Sequence, residues 1–221
     1  MEVDYKIKTE LDGSTDGYVI WNLPAPKYVD FKNKKVLDLG CGAGGFLRYL
    51  QKQFQCKVLG MDPNQTNANQ CREAGIEVAV GYAGEFVDQY AHQFEIVTCF
   101  EVLEHVYSHK DLFIPAHQFL KDNGSLVIST PNAFHVLRIW SMLFGDHRDL
   151  MMDPTRYYRP EHVRLYSYNM MKRAFKQTGF SGIKVYGVRR MFNKEIVLKS
   201  KILINYFAQH LVGVGKRKNE R

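Results

Sequence analysis

From Lys35 onward the chain alternates two patterns. Short apolar runs recur: "KVLDL" from residue 35, "KVLGM" from 57, "IEVAV" from 76, "FEIVTCF" from 94 and "SLVIST" from 125. Between them apolar residues return every three or four positions. Phe46, Leu47, Leu50 and Phe54 form one such stripe. "PNQTNANQCREAG" predicts a helix opened by Pro63 and closed by Gly75, and further helices fall near 84–91 and 108–121. Runs that scarcely alternate are strands buried on both faces, and strands separated by helices pair in parallel. The pattern is an α/β sheet with helices on both faces. Such a sheet binds its ligands beyond the carboxyl ends of its strands, so the residues just after each strand are the ones to read for function.

Beyond residue 131 the pattern changes. "AFHVLRIWSMLF", 133–144, is apolar and carries one charge, Arg138. It is shorter than the roughly 18 residues of a membrane span. A crossover helix has to bury a face, so core is the expectation, with a membrane-facing plate as the rival. Residues 147–167 are irregular, basic and aromatic. "NMMKRAFKQTGF" predicts a helix ending at Gly179, "GIKVYGV" and "HLVGVG" predict strands, and "NKEIVLKSKILINYF" predicts a basic amphipathic helix. One domain spanning 1–221 is expected, with an N-terminal segment (1–34), a ligand-binding core (35–130) and a third part (131–221) that supplies insertions, final strands and a basic tail.

Charge adds a partner class. The net charge of +7 is uneven: residues 1–146 hold 13 Lys and Arg against 18 Asp and Glu, and residues 147–221 hold 17 against 5. The last third is therefore either a solvated basic face or a surface for an anionic partner: a phosphorylated substrate, RNA or an anionic membrane. Cys41, Cys56, Cys71 and Cys99 lack the spacing of a metal knuckle and read as reduced packing residues of a cytoplasmic protein, with no metal site expected. No secretory leader is evident near the N-terminus, and no transmembrane segment is expected.

The turn after the first strand carries the chemistry. Gly40, Gly42 and Gly45 fit G-x-G-x-x-G; Gly40, Gly42 and Gly44 fit the tighter G-x-G-x-G. Spacing alone admits a dinucleotide, but electrostatics does not favour one. Asp38 stands two residues before the first glycine, Asp62, Glu101 and Glu104 follow the second and fourth strands, and the turn has no Lys or Arg. A pyrophosphate is poorly served by that set. S-adenosylmethionine has no phosphate; it brings an ammonium, a sulfonium and two ribose hydroxyls, all of which suit carboxylates. Asp62 can accept both ribose hydroxyls. Its rival role is to cap the helix behind Pro63.

"VLDLGCGAGGF", "GMDPN", "FEIVTCFEVLEHV", "LKDNGSLVISTPN" and "HVRLYS…FKQTGF" together resemble class I S-adenosylmethionine-dependent methyltransferases, in the branch of the ubiquinone-biosynthesis O-methyltransferases. The likeness covers about residues 34–216. It implies a Rossmann-like, seven-stranded, mostly parallel sheet whose last strand is antiparallel and inserted between strands five and six. It also implies the cofactor set: Asp38, Gly40, Cys41 and Gly42 at the methionyl end, Asp62 and Pro63 at the ribose, Tyr82 and Ala83 at adenine, and Phe100 and Glu101 beneath the cofactor. Tyr82 stands where many relatives carry an acid, and Glu85 is a substitute for it.

Methyl transfer needs positioning and, for a hydroxyl acceptor, a base. His105 follows the fourth strand and is the candidate, with loop orientation as its rival role; His162 is next, with a surface histidine as its rival. Arg156, Tyr158, Arg159 and His162 form the candidate acceptor site, since Arg forks bind phosphate or carboxylate and Tyr supplies an apolar wall. The expected acceptor is a small, glycan or lipid-linked molecule, anionic, methylated on oxygen. Peripheral membrane contact fits the same surface. Two rival readings stay open: an RNA (tRNA) methyltransferase that uses the basic third on nucleic acid, and an inactive cofactor-binding partner subunit.

Overall fold

In the computed structural model, residues 25–144, 162–191 and 194–218 are described. The five anticipated parallel strands are β1 (Lys35–Leu39), β2 (Lys57–Asp62), β3 (Val78–Val80), β4 (Phe94–Phe100) and β5 (Leu120–Pro131). They are joined by α1 (Gly45–Phe54), α2 (Gln65–Glu73), α3 (Val87–Tyr90) and α4 (Lys110–Phe119). The chain continues through α5 (Val136–Leu143), α6 (Tyr168–Gln177), β6 (Phe180–Met191), β7 (Lys194–Leu198), α7 (Lys201–Phe207) and β8 (His210–Arg217). The sheet order is β3-β2-β1-β4-β5-β8-β6-β7. β8 runs antiparallel to both β5 and β6, so the inserted antiparallel last strand is where the resemblance implied it.

Alternation sorts the sheet's side chains between two cores. Leu37, Leu39, Val97, Cys99, Leu126 and Ile128 pack on one face with Phe113 of α4 and Phe175 of α6. Val36, Ile96, Phe100 and Val127 pack on the other with Phe46, Tyr49 and Leu50 of α1. The glycines of "HLVGVG" have a packing cause: a Cβ at Gly213 would lie 2.4 Å, and one at Gly215 2.5 Å, from the ring of Phe175. β8 is smooth where α6 lies down.

Four expectations need correction. The sheet has eight strands, because part of the predicted amphipathic helix at 193–207 is β7, a hairpin partner of β6, and only Lys201–Phe207 is helical. Ile196 and Val197 are β-branched, which costs side-chain freedom in a helix and suits a strand, and both pair along β6. α2 begins at Gln65 rather than at Pro63, with Asn64 as N-cap: its side chain accepts from the backbone N–H groups of Thr66 and Asn67. The helix near 84–91 is a 3-10 turn, Ala83–Phe86, run into the single turn α3. α5 is not core: Leu137, Trp140 and Leu143 are 69%, 62% and 75% exposed. The sheet face it was expected to cover is covered by α6, through Met171, Ala174 and Phe175.

Register sets the strand ends level. Leu39 pairs with Met61, Asp38 with Thr98, and Phe100 with Ser129. Gly40, Asp62, Glu101 and Ser129 therefore meet along one edge.

Candidate active site

The glycine turn is built by backbone that only glycine adopts without strain. Gly40, Gly42 and Gly44 have φ of +74°, +54° and +78°, while Gly45 already opens α1. The tighter glycine set is the conformational one. The N–H groups of Gly40 and Cys41 both donate to Met61 O, at 2.7 and 3.2 Å, which ties the turn to the end of β2. Asp62 completes the tie: Gly42 N–H donates to its Oδ2 at 2.9 Å, and Asn64 N–H and Asn67 Nδ2 to its Oδ1 at 2.9 and 3.2 Å. With Asn64 capping α2, Asp62 is left at the turn, and Pro63 is the bend between them. Nothing stands within 4 Å of where a Cβ on Gly42 would project, so the turn has a free face.

Asp38 is 3% exposed, and its Oδ1 accepts from Thr98 Oγ1–H at 2.7 Å. Burial, aided by the charge of Asp62 and opposed by that hydrogen bond, pushes its carboxyl up to about 7. A buried acid so destabilised is suited to a cationic ligand. Cys41 is buried beside it, and Phe100 is buried edge-on to Phe46 at 5.1 Å between ring centroids. Ala83 is buried, and Tyr82 is 69% exposed with its ring open to a ligand.

A second acidic group follows β4. Glu101 has φ of +55°, uncommon for a residue with a side chain. Its carboxylate is held at both oxygens: Ser129 Oγ–H donates to Oε1 at 2.7 Å, and His210 Nδ1 lies 3.0 Å from Oε2. Burial alone would raise its carboxyl. The charge of His210, that contact and the Ser129 hydroxyl outweigh burial and hold it below the ordinary glutamate range. Glu104 goes the other way. Burial and then the charge of Glu101 push it up to about 8, although Thr130 Oγ1–H donates to its Oε2 at 2.9 Å. Two neighbouring acids are thus driven apart, one below and one above the ordinary glutamate range.

His105 and His162 close this cluster. Their Nε2 atoms lie 3.9 and 4.0 Å from Glu104 Oε1, and their rings meet edge-on at 4.9 Å. His162 arrives there because Val163 and Arg164 donate their backbone N–H groups to Glu104 O; it is half-buried in the site rather than a surface histidine. Glu104, His105 and His162 offer one ligand atom each, all within 4.8 Å of one another, so these three can hold a divalent ion. The sequence set metal aside on cysteine spacing alone. Arg156, Tyr158 and Arg159 lie outside the described residues.

Reading residues after strand ends finds Asp38, Asp62, Glu101, Glu104 and His105. It misses the groups that hold them, Thr98, Ser129, Thr130 and His210, because each lies on a strand other than the one its acid ends or follows, and only the register unites them. "STPN" after "EVLEHV" was the available signal: two adjacent hydroxyls at the end of the neighbouring strand.

The residues fit S-adenosylmethionine. Buried acids, a glycine turn with a free face and the absence of Lys or Arg from that turn match a cationic ligand without phosphate.

Comparisons with known proteins agree. A family model described as a methyltransferase domain matches residues 22–185. The ubiquinone biosynthesis O-methyltransferase of Citrobacter koseri is 37% identical over 107 residues, 45% of this chain and 43% of that protein. The mitochondrial one of Schizosaccharomyces pombe is 29% identical over 124 residues, 53% of this chain and 45% of that protein. The chain thus spans less than half the length of these curated relatives. Among solved structures, a SAM-dependent methyltransferase from Thermotoga maritima has a TM-score of 0.69 at 18% identity, covering 90% of this chain and 89% of that one. Another, from Archaeoglobus fulgidus, has a TM-score of 0.65 at 20% identity, covering 97% and 100%. At such identity these two speak for the fold alone. The family match reaches across nearly three quarters of the sequence, and by it the chain belongs to the methyltransferase-domain family, whose fold implies S-adenosylmethionine as cofactor.

Proposed function

We propose that the protein moves the methyl group of S-adenosylmethionine to an oxygen of a small or lipid-linked anionic acceptor. The observation that carries this reading is the Glu104–His105–His162 cluster beside the glycine turn, at the carboxyl ends of β4 and β5. The cofactor supplies an already activated carbon, so the protein has only to position, desolvate and deprotonate. In this reading Asp38 and Glu101 face the cationic end of the cofactor, Asp62 the ribose, and Tyr82 and Ala83 the adenine. His105 takes the acceptor proton at Nε2, with Glu104 and His162 packed against its ring to hold it in place. The names of the curated relatives support oxygen as the methylated atom.

The exposed stripe Leu137, Trp140 and Leu143 supports a peripheral lipid contact, since 132–144 holds one cation and no acid. The basic-aromatic segment with Arg156, Tyr158 and Arg159 is assigned to the acceptor's anionic part. Four free thiols support the cytoplasm as the compartment. Among the described residues no helix is long and apolar enough to cross a membrane.

The test is transfer of labelled methyl from the cofactor to a cell extract, read by mass spectrometry, followed by kinetics on the acceptor found. His105→Gln should lower kcat by about 10²–10⁴ with cofactor affinity unchanged. Chelation with EDTA separates base from metal ligand: a base role leaves wild-type turnover indifferent to it. Near-normal turnover of His105→Gln would remove His105 as the base.

A further inference from the structure

β8 does more than complete the sheet. It enters between β5 and β6 at His210, whose backbone is paired on both sides, with Pro131 and with Val188. The preceding residue is pinned as well: Gln209 N–H donates to Val188 O, and Asn132 N–H donates to Gln209 O, each at 2.9 Å. Asn132 also ties down the end of α7, its Nδ2 donating to Ile204 O, Asn205 O and Ala208 O. His210 thus projects from backbone held on both sides. Its Nδ1 sits 3.0 Å from Glu101 Oε2, with the two side chains 13% and 7% exposed.

Glu101 needs such a partner. It is buried with a left-handed backbone, and a second buried acid, Glu104, follows three residues later. Its N–H is fixed by Ser129 O and Ser129 Oγ, and its Oε1 by the Ser129 hydroxyl. These bonds fix the main chain and one oxygen. Without a partner at Oε2 the carboxylate is free to pivot about that hydroxyl.

We propose that His210 is a positioning residue: from the mouth of the inserted strand, its imidazole pairs with Glu101 Oε2 through Nδ1, 3.0 Å away, so that the carboxylate stays aimed at the cationic end of the methyl donor. The inference rests on the cofactor placement proposed above and extends it to a residue that touches neither cofactor nor acceptor. In the clamp Nδ1 carries the proton, because a carboxylate oxygen only accepts. With both oxygens engaged, Glu101 acts as a fixed charge and not as the base, which leaves proton removal to the cluster at His105.

Two variants of the full chain test this by titration calorimetry with S-adenosylmethionine and its demethylated product. His210→Leu keeps side-chain bulk and removes the donor; methyl-donor Kd and KM should rise about 10- to 100-fold, the range for a hydrogen bond to a charged group, while acceptor KM is unchanged. His210→Asn places an amide N–H about where Nδ1 stood and should recover affinity to within about threefold of wild type. A purely structural role would lower melting temperature and active fraction in both variants without moving either Kd. Should His210→Leu prove too unstable, His210→Gln, with its donor displaced by one bond, is expected to bind as poorly. Wild-type affinity in His210→Leu or His210→Gln, or an Asn variant as impaired as either, overturns the clamp and leaves the methyltransferase reading intact. Failure of the wild-type chain to bind S-adenosylmethionine overturns both.

Discussion

A single buried carboxylate shows how far function is set against stability here. Burial pushes the carboxyl of Asp38 up to about 7 in the folded chain, against an ordinary value of 3.8. An acid whose folded pKa is raised binds its proton more tightly in the folded state. Its contribution to stability is therefore full below about pH 4 and is lost as pH rises from there to about 7, levelling beyond. Asp38→Asn keeps the shape and the acceptor for Thr98 but cannot ionise. Thermal melts should find it more stable than wild type at pH 8, by about 2–4 °C for each kcal/mol relieved at this chain length, and no more stable at pH 4. It should bind S-adenosylmethionine poorly at either pH. Equal melting temperatures at pH 8 would mean that Asp38 is solvated or paired in solution. Asp62 makes a different prediction, because its oxygens already serve Gly42, Asn64 and Asn67. Asp62→Ala should weaken cofactor binding by about 1–3 kcal/mol, the scale for lost charge-assisted hydrogen bonds. It should also loosen the turn, visible as faster amide exchange at Gly42. Unchanged affinity would reduce Asp62 to a brace for the turn.

At the scale of elements, the strength of the sequence signal follows how local its cause is. β1, β2 and β4 were legible because burial on both faces makes them continuous apolar runs, and α1 because its apolar residues form one stripe, patterns that each segment carries in itself. β7 was not: "NKEIVLKSKILINYF" has a helical spacing of apolar residues, and what makes its first half a strand is the free edge of β6, which no local pattern records. α5 fails for the opposite reason. Its sequence is apolar enough for a core, and only the placement of α6 shows that the core there is already filled. The site divides the same way. Acids that end strands could be read, and the hydroxyls and the imidazole that hold them, from other strands, could not. The turn from β1 to α1 makes this checkable. A Cβ on Gly40 would stand 2.4 Å from Val102 Cγ2, at φ of +74°. Gly40→Ala should cost about 2–4 kcal/mol from backbone strain and overpacking together, read by denaturant unfolding. Gly42→Ala meets no atom within 4 Å. It should cost only the backbone strain, about 1–2 kcal/mol, yet weaken the cofactor more, since its Cβ points into the free face.

The whole molecule adds an electrostatic argument that no single residue makes. Acids gather where β1, β2 and β4 end, Asp38, Asp62 and Glu101 all being buried, whereas the excess of Lys and Arg lies in 147–221. One chain thus presents an acidic cofactor edge and a basic remainder, and two ligands of opposite charge can be drawn to different parts of it. A dinucleotide brings its pyrophosphate to the glycine turn and meets the acids; S-adenosylmethionine brings an ammonium and a sulfonium there. Titration calorimetry with both, together with the demethylated product, is expected to show binding of the methyl donor and its product and none of NAD. The product keeps the ammonium and lacks the sulfonium, so comparing it with the donor isolates the contribution of the sulfonium to attraction by Asp38 and Glu101. Because these acids are buried, the donor's affinity should vary little between low and physiological salt, whereas association of the basic part with an anionic acceptor or vesicle should weaken steeply over the same range. Tighter binding of NAD than of S-adenosylmethionine would mean that the acids are neutral in the apo protein and that the turn accepts phosphate after all. A steep salt dependence of donor binding would instead place the recognising charges at the surface, outside the buried edge formed by β1, β2 and β4.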